Sequence, residues 1–237
     1  MSNKHSRTDR SSVLDSDDAA YPGQHHYSPS FLRIYDPLVL GFFARFVWRC
    51  STGRLVEQYN RHIGARHLDV GPGTGYFLEK APPTEGLTLL DPNLEVLAHA
   101  SRRLSSRSPI VLAADILQPI ATDDRFDSAA LNYVIHCLPG PMERKAAAVR
   151  NVAAVLEPDG VLFGATLLGE RHLYNPFSRA AFEINNRRGI FDNLGDTEAG
   201  LRAMLEASFD QVDIEIAGSV AIFSATAPRG SPEIIHE

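Results

Sequence analysis

The chain is poor in cysteine and tryptophan and has no long apolar run. Cys50 and Cys137 are its only two cysteines in 237 residues. Two cysteines cannot staple a chain of this size, and no CxxC or Cys/His spacing suggests zinc, so no metal is expected. A reducing cytoplasm suits such a chain. The most apolar stretch, residues 37–48, contains Gly41 and Arg45 and is too short to cross a bilayer, so no membrane partner is expected. Lys4, Arg7 and Arg10 are followed by no apolar core, which speaks against a secretory signal. Positive charge is in deficit too: 23 Lys and Arg face 29 Asp and Glu, a formal net charge of −6. Nucleic-acid binding rests on cations that neutralise phosphates, so nucleic acid is not the expected partner. The densest basic group, Arg102, Arg103 and Arg107, reads as a solvated helix end.

What is present is ordinary soluble composition, 44% hydrophobic and 22% charged, on a length that suits one domain. Residues 1–28 are polar and aperiodic and read as a disordered tail. Residues 228–237 read as a second tail, leaving 29–227 as the domain. Phe31, Ile34, Tyr35, Leu38, Phe42 and Phe46 step by three or four, one face of a helix that Val39 and Phe43 widen. A second helix is expected over 53–62. Strands are expected at 68–70, 87–90, 109–113, 126–131 and 161–168, with helices at 94–104 and 142–156 between them. Short apolar strands alternating with amphipathic helices imply an α/β fold with a parallel sheet covered on both faces. The end differs. A helix over 197–208 leads into strands at 211–216 and 219–225, separated only by Ala217-Gly218, which is hairpin spacing. The expected sheet therefore has seven strands, mostly parallel, with an antiparallel hairpin at its C-terminal end.

Chemistry centres on His67-Leu68-Asp69-Val70-Gly71-Pro72-Gly73-Thr74-Gly75, a strand running into a glycine-rich turn. Such a turn lets the backbone approach a nucleotide-like ligand closely. Gly71 and Gly73 fit the dinucleotide pattern GxGxxG, but Tyr76 stands where its third glycine belongs, and Gly75 completes GxGxG instead. No Gly-Lys-Ser/Thr follows, so this is not a P-loop.

The segment Asp69 to Gly75 resembles the first motif of the class I, Rossmann-like S-adenosylmethionine-dependent methyltransferases. Other segments extend the resemblance over roughly residues 65–227. Leu89-Leu90-Asp91 is similar to that family's second strand, which ends in an acid that binds both ribose hydroxyls. Ala114-Asp115-Ile116 looks like the segment whose acid meets the adenine amine and whose apolar neighbour packs on the ring. Phe126 to Tyr133 resembles the fourth strand, and Leu156-Glu157-Pro158-Asp159-Gly160 the turn into the fifth. The resemblance implies S-adenosyl-L-methionine as cofactor. It implies binding by Asp69, Gly71, Pro72, Gly73, Thr74, Gly75, Asp91, Pro92, Asp115, Ile116, Asn132 and Tyr133. Plainer roles stand beside these: Asp91 could cap the following helix, and Asp115 could stabilise a turn.

The sulfonium makes the methyl group electrophilic, so the protein need only align a nucleophile and, where required, remove a proton. His136, in the loop after the fourth strand, is the candidate base, against a plainer role in bonding the loop backbone. Asn132-Tyr133 departs from the Asn/Asp-Pro-Pro-Tyr motif of many amino-group methylators, and Asn132 is read as contacting the donor's methionine part. The N-terminal helices, 29–64, and the segment 169–193 are expected to form a lid and a substrate cap. Tyr35 and His172 are their candidate polar tips, and the remaining aromatics there could equally be core packing. The expected function is O-methylation of an acidic hydroxyl on a small, partly apolar molecule of secondary metabolism, by a cytoplasmic monomer or homodimer. Nitrogen, sulfur or carbon acceptors, a non-methylating enzyme and a cofactor-free scaffold remain as alternatives.

Overall fold

The computed structural model describes residue 44 and residues 46–229. The expected N-terminal tail, residues 230–237 of the C-terminal one, Tyr35 and nearly all of the aromatic helix expected from residue 30 lie outside the described residues; Pro228, expected in the tail, ends β7. The described elements are α1 (Thr52–His62), β1 (Arg66–Val70), α2 (Tyr76–Lys80), β2 (Gly86–Asp91), α3 (Leu94–Arg103), β3 (Ile110–Ala113) and β4 (Phe126–Asn132). They continue with α4 (Met142–Ala153), β5 (Leu156–Leu167), α5 (Pro176–Arg187), α6 (Glu198–Glu206), β6 (Phe209–Ala217) and β7 (Val220–Pro228). The seven strands form one sheet in the order β3-β2-β1-β4-β5-β7-β6. The first five pair in parallel, and β7 runs antiparallel to both β5 and β6. This is the expected Rossmann-like sheet with its closing hairpin. No described helix is long and apolar enough to cross a membrane.

The central strands are apolar at successive positions because both faces are covered. Side chains of one face, Leu68, Val70, Ala129, Leu131 and Leu162, pack with Val149 and Val152 of α4 and Leu201 and Leu205 of α6. Those of the other, Leu87, Leu89, Ala130 and Phe163, pack with Tyr59 of α1, Leu78 of α2 and Leu97 of α3. Asp69 lies between Leu68 and Val70, so the two-residue period of the strand turns it toward the second face. There it meets α1.

Three boundaries differ from expectation. Helix α4 ends at Ala153, not at residue 156; Leu156 already pairs with Phe126 as the first residue of β5, and the register then shifts before Ser128 pairs with Val161. The apolar face shared by Val149, Val152 and Ala153 therefore does not continue to Leu156. The hairpin turns at Gly218-Ser219, where Gly218 takes φ +64°, so Ala217 is still in strand β6. Within the segment expected as a cap lies a regular helix, α5. Asn175 opens it, its side chain accepting from Ser178 N–H at 2.8 Å, and Pro176 occupies the first turn, where it has no hydrogen bond to lose.

The chain between α5 and α6 is pinned to the sheet end by a buried ion pair. Lys145, on the inner face of α4, donates to both oxygens of Asp196 at 2.9 and 2.7 Å and to the Asp192 carbonyl. Its side chain is fully buried and that of Asp196 is 3% exposed. Asn193 Nδ2 donates to the Leu167 carbonyl, and Asp196 O accepts from Gly169 N–H, fastening the same strap to the end of β5. Removing one partner strands the other charge in the interior. Lys145→Met should cost about 3–5 kcal/mol in urea unfolding, and Lys145→Met/Asp196→Leu should recover most of it. A single variant within about 1 kcal/mol of wild type would show that the pair is not what holds the strap.

Candidate active site

Strands β1 and β4 are parallel neighbours, yet the chain leaves β1 toward β2 and leaves β4 toward β5. Connections that diverge in this way open a crevice beyond the carboxyl ends of the two strands. A cleft of about 1120 Å³, counted out to solvent, occupies that place. The glycine turn forms one wall. Gly71 takes φ +66°, and a Cβ there would come within 2.7 Å of Val134 Cγ2. Gly73 takes φ +54°, and a Cβ there would meet no protein atom within 4 Å, because the position faces the open cleft. Arg103 holds the turn from behind: Nη1 lies 3.3 Å from Thr74 Oγ1, Nη2 donates to Glu79 at 2.8 Å, and the guanidinium sits 5.5 Å from the Tyr76 ring centroid. The basic cluster is thus not merely a solvated helix end.

Two carboxylates reach the cleft from adjacent strands. Asp69 is 2% exposed and accepts from the Tyr59 hydroxyl at 2.6 Å. Asp91 ends β2, and its Oδ1 accepts from Asn93 N–H at 2.7 Å. The cap of α3 is Asn93, which accepts from Glu95 N–H at 2.9 Å, so Asp91 is not the capping residue. Burial, only partly offset by the Asn93 N–H, pushes the Asp91 carboxyl up to about 7. On the opposite wall β4 delivers Asn132, 8% exposed, whose buried side chain neighbours the Tyr59 hydroxyl and has no other described polar partner. Tyr133 follows in the left-handed region at φ 59°, an uncommon conformation for a bulky side chain, and its N–H donates to the Ala165 carbonyl at 2.7 Å. That sharp exit brings both residues into the cleft wall.

Of the residues expected to bind cofactor, Asp69, Gly71, Pro72, Gly73, Thr74, Asp91, Pro92, Ile116, Asn132 and Tyr133 line the cleft. Gly75 does not; it packs against Leu104 at the start of α2. Asp115 does not line it either, and its Oδ1 accepts from Leu117 N–H at 2.8 Å in the turn after β3. The catalytic candidates are not brought together. His136 is 3% exposed, lies outside the lining residues, and has Leu167 N–H at 3.4 Å from Nδ1 and Phe191 edge-on at 4.7 Å. Burial, with Lys145 nearby, lowers its pKa to about 3, so the ring is neutral and a very weak base. His172 is exposed in a short 3₁₀ turn and also lies outside the lining.

Sequence reasoning missed Tyr59, Phe77, Cys137, Leu138 and Ile190, all of which line the cleft. Tyr59 had a signal: Leu55, Gln58 and Tyr59 fall on one face of α1, and all three are buried. Ile190 lies in the segment expected as a cap but was not singled out within it; it reaches the cleft through the strap that Lys145 fastens.

Comparison with known proteins agrees with this architecture. A family described as "Methyltransferase domain" matches residues 68–162, from the first strand into the fifth. Demethylluteothin O-methyltransferase of Streptomyces thioluteus is 35% identical over 88% of this chain and 93% of its own length. The N-methyltransferase vrtF of Penicillium aethiopicum is 38% identical over 77% of this chain and 78% of its own. Among solved structures, the N-methyltransferase NodS from Bradyrhizobium japonicum with S-adenosyl-L-homocysteine superposes with a TM-score of 0.57 at 20% identity, covering 75% of this chain and 88% of that one. The chain belongs to the class I S-adenosylmethionine-dependent methyltransferases that act on small molecules.

Proposed function

We propose that this enzyme methylates an acidic hydroxyl on a small, partly apolar molecule of secondary metabolism. The observation that carries this choice is the position of the expected base: His136 is buried outside the described lining, whose carboxylates, Asp69 and Asp91, are taken up by the donor in this reading. The Cys137 thiol, which does line it, is pushed by burial up to about 12. An enol or phenol that ionises by itself needs no protein base. Two relatives support the acceptor class by name, the demethylluteothin enzyme and the physcion biosynthesis cluster O-methyltransferase of Aspergillus chevalieri. An amine acceptor, favoured by the name of vrtF, would also need no strong base.

The cleft fits the methyl donor on its own geometry. Gly73 leaves room that any side chain would occupy, Asn132 sets its carboxamide in the wall beside Tyr59, and Asp91 is a half-buried carboxyl with one backbone partner. The bound sulfonium supplies an electrophilic methyl group. Asp91 would accept the ribose hydroxyls, Ile116 would pack on the adenine, and Asp69 and Asn132 would hold the amino-acid end, while Asp115, outside the lining, would reach the adenine only from the turn after β3. The protein's further task is to hold the acceptor oxygen about 3–3.5 Å from the methyl carbon and keep water out. Phe77, Val134, Leu138 and Ile190 offer an apolar wall for that purpose. We read residues 169–193 as a cap, supported by the cluster of Tyr174, Phe182 and Phe191 with Trp48; of the segment 29–64 expected as a lid, α1 packs on the sheet instead. We place the enzyme in a reducing cytoplasm; Cys50 and Cys137 are both free.

The function is tested by incubating the enzyme with donor and metabolite extracts and detecting methylated product by mass spectrometry. With phenols of graded acidity, the ascending limb of kcat/KM against pH should move with each acceptor's own pKa. A limb fixed at one pH for every acceptor would reveal a protein base instead. Donor binding should carry its own pH dependence. Below about pH 7 the free Asp91 carboxyl holds a proton that it must release to accept the ribose hydroxyls, so affinity falls with falling pH. The Kd for S-adenosyl-L-homocysteine should rise roughly tenfold for each pH unit below that point, and Asp91→Asn should bind more weakly at neutral pH with a flat profile. A flat wild-type profile would remove Asp91 from the ribose role.

A further inference from the structure

We propose that Tyr59 is a positioning residue for the amino-acid end of the methyl donor: its hydroxyl fixes the buried Asp69 carboxylate so that one oxygen stays available to the donor's ammonium. Asp69 is 2% exposed, and among the described residues no lysine or arginine lies within ion-pair distance of it. A carboxylate withdrawn from water requires donors or a cation. Tyr59 gives Oδ2 one short hydrogen bond, at 2.6 Å. His67 Nε2 stands 3.5 Å from the same oxygen. Tyr59 alone makes a hydrogen bond to Oδ2, and no described hydrogen bond reaches Oδ1. Asp69 itself lines the cleft, as does Asn132, whose carboxamide neighbours the same Tyr59 hydroxyl. A cationic ligand group completes that arrangement, and the donor's ammonium is the one such group it carries besides the sulfonium.

The hydroxyl is held in direction as well as distance. The Tyr59 ring stacks on Phe77 with centroids 5.6 Å apart and planes 8° apart, and it meets Phe163 edge-on at 5.0 Å. His67 is fixed from its far side, where Nδ1 lies 2.7 Å from Ser128 Oγ, which accepts from Gly64 N–H at 2.7 Å. The carboxylate is therefore held from α1, by a bond that lies outside the glycine turn. Tyr59 thus acts on the donor through Asp69.

Tyr59 can act so only if the cleft holds the methyl donor, as proposed above, and the test keeps the two ideas apart. Two probes share the nucleoside and the thioether: S-adenosyl-L-homocysteine, and 5′-methylthioadenosine, which lacks the amino-acid end. Affinities are measured by calorimetry, with competition for the weaker ligand. In Tyr59→Phe the Kd for S-adenosyl-L-homocysteine should rise about tenfold or more, the loss expected of a hydrogen bond to a charged group, with less than a twofold change for 5′-methylthioadenosine. Asp91→Ala should weaken both ligands. If Tyr59→Phe does not fold, Asp69→Asn should give the same selective loss. Unchanged affinities, or equal weakening of both ligands, would overturn the positioning role. Failure of the wild type to bind either ligand would overturn the donor reading itself.

Discussion

The divergence of the chain at β1 and β4 is the constraint on which the rest of the molecule depends. Two parallel strands pair side by side, and their connections then depart to opposite edges of the sheet. The gap at their carboxyl ends cannot be filled by either connection, and it becomes the cleft. The glycine turn leaving β1 forms one wall, the left-handed exit at Tyr133 leaving β4 forms the other, and Asp91 at the end of β2 closes the side. The hairpin of β6 and β7 lies beyond β5 and covers the sheet edge without approaching the site.

Inside that gap the protein keeps polar groups that its own atoms leave incompletely matched. Asp69 has a phenol and a distant imidazole, Asp91 one backbone N–H, and Asn132 only the neighbouring Tyr59 hydroxyl. Elsewhere the same interior matches its charges closely, as Lys145 and Asp196 show. Buried groups left open in one place and closed in another mark where a ligand is needed to complete the structure. The raised pKa of Asp91 is the electrostatic trace of that incompleteness.

Much of the fold was legible in the sequence because its signals are local. The strands announced themselves as short apolar runs, and Ala217-Gly218 located the hairpin to within one residue. The glycine turn, Asp91 and Ile116 were legible from spacing and resemblance, and all reach the cleft. Features made by distant contacts were not legible. Helix α5 lies in a segment expected only as a cap, with no helix assigned to it, although Asn175-Pro176 is a helix-start signal. Lys145 stands in register with Val149 and Val152 on the inner face of α4, yet its partner Asp196 is 51 residues away. His136 followed the fourth strand as expected of a base, but the packing of Phe191 and the end of β5 around it closed it off.

The most direct test is a crystal structure of the enzyme with S-adenosyl-L-homocysteine. The account predicts ribose hydroxyls on Asp91, adenine against Ile116 and the ammonium on the free oxygen of Asp69. A ligand seated elsewhere, for example in the polar groove between α1 and the β6–β7 hairpin lined by Arg54, Arg61 and Glu215, would contradict it. So would one that leaves Asp69 and Asp91 untouched.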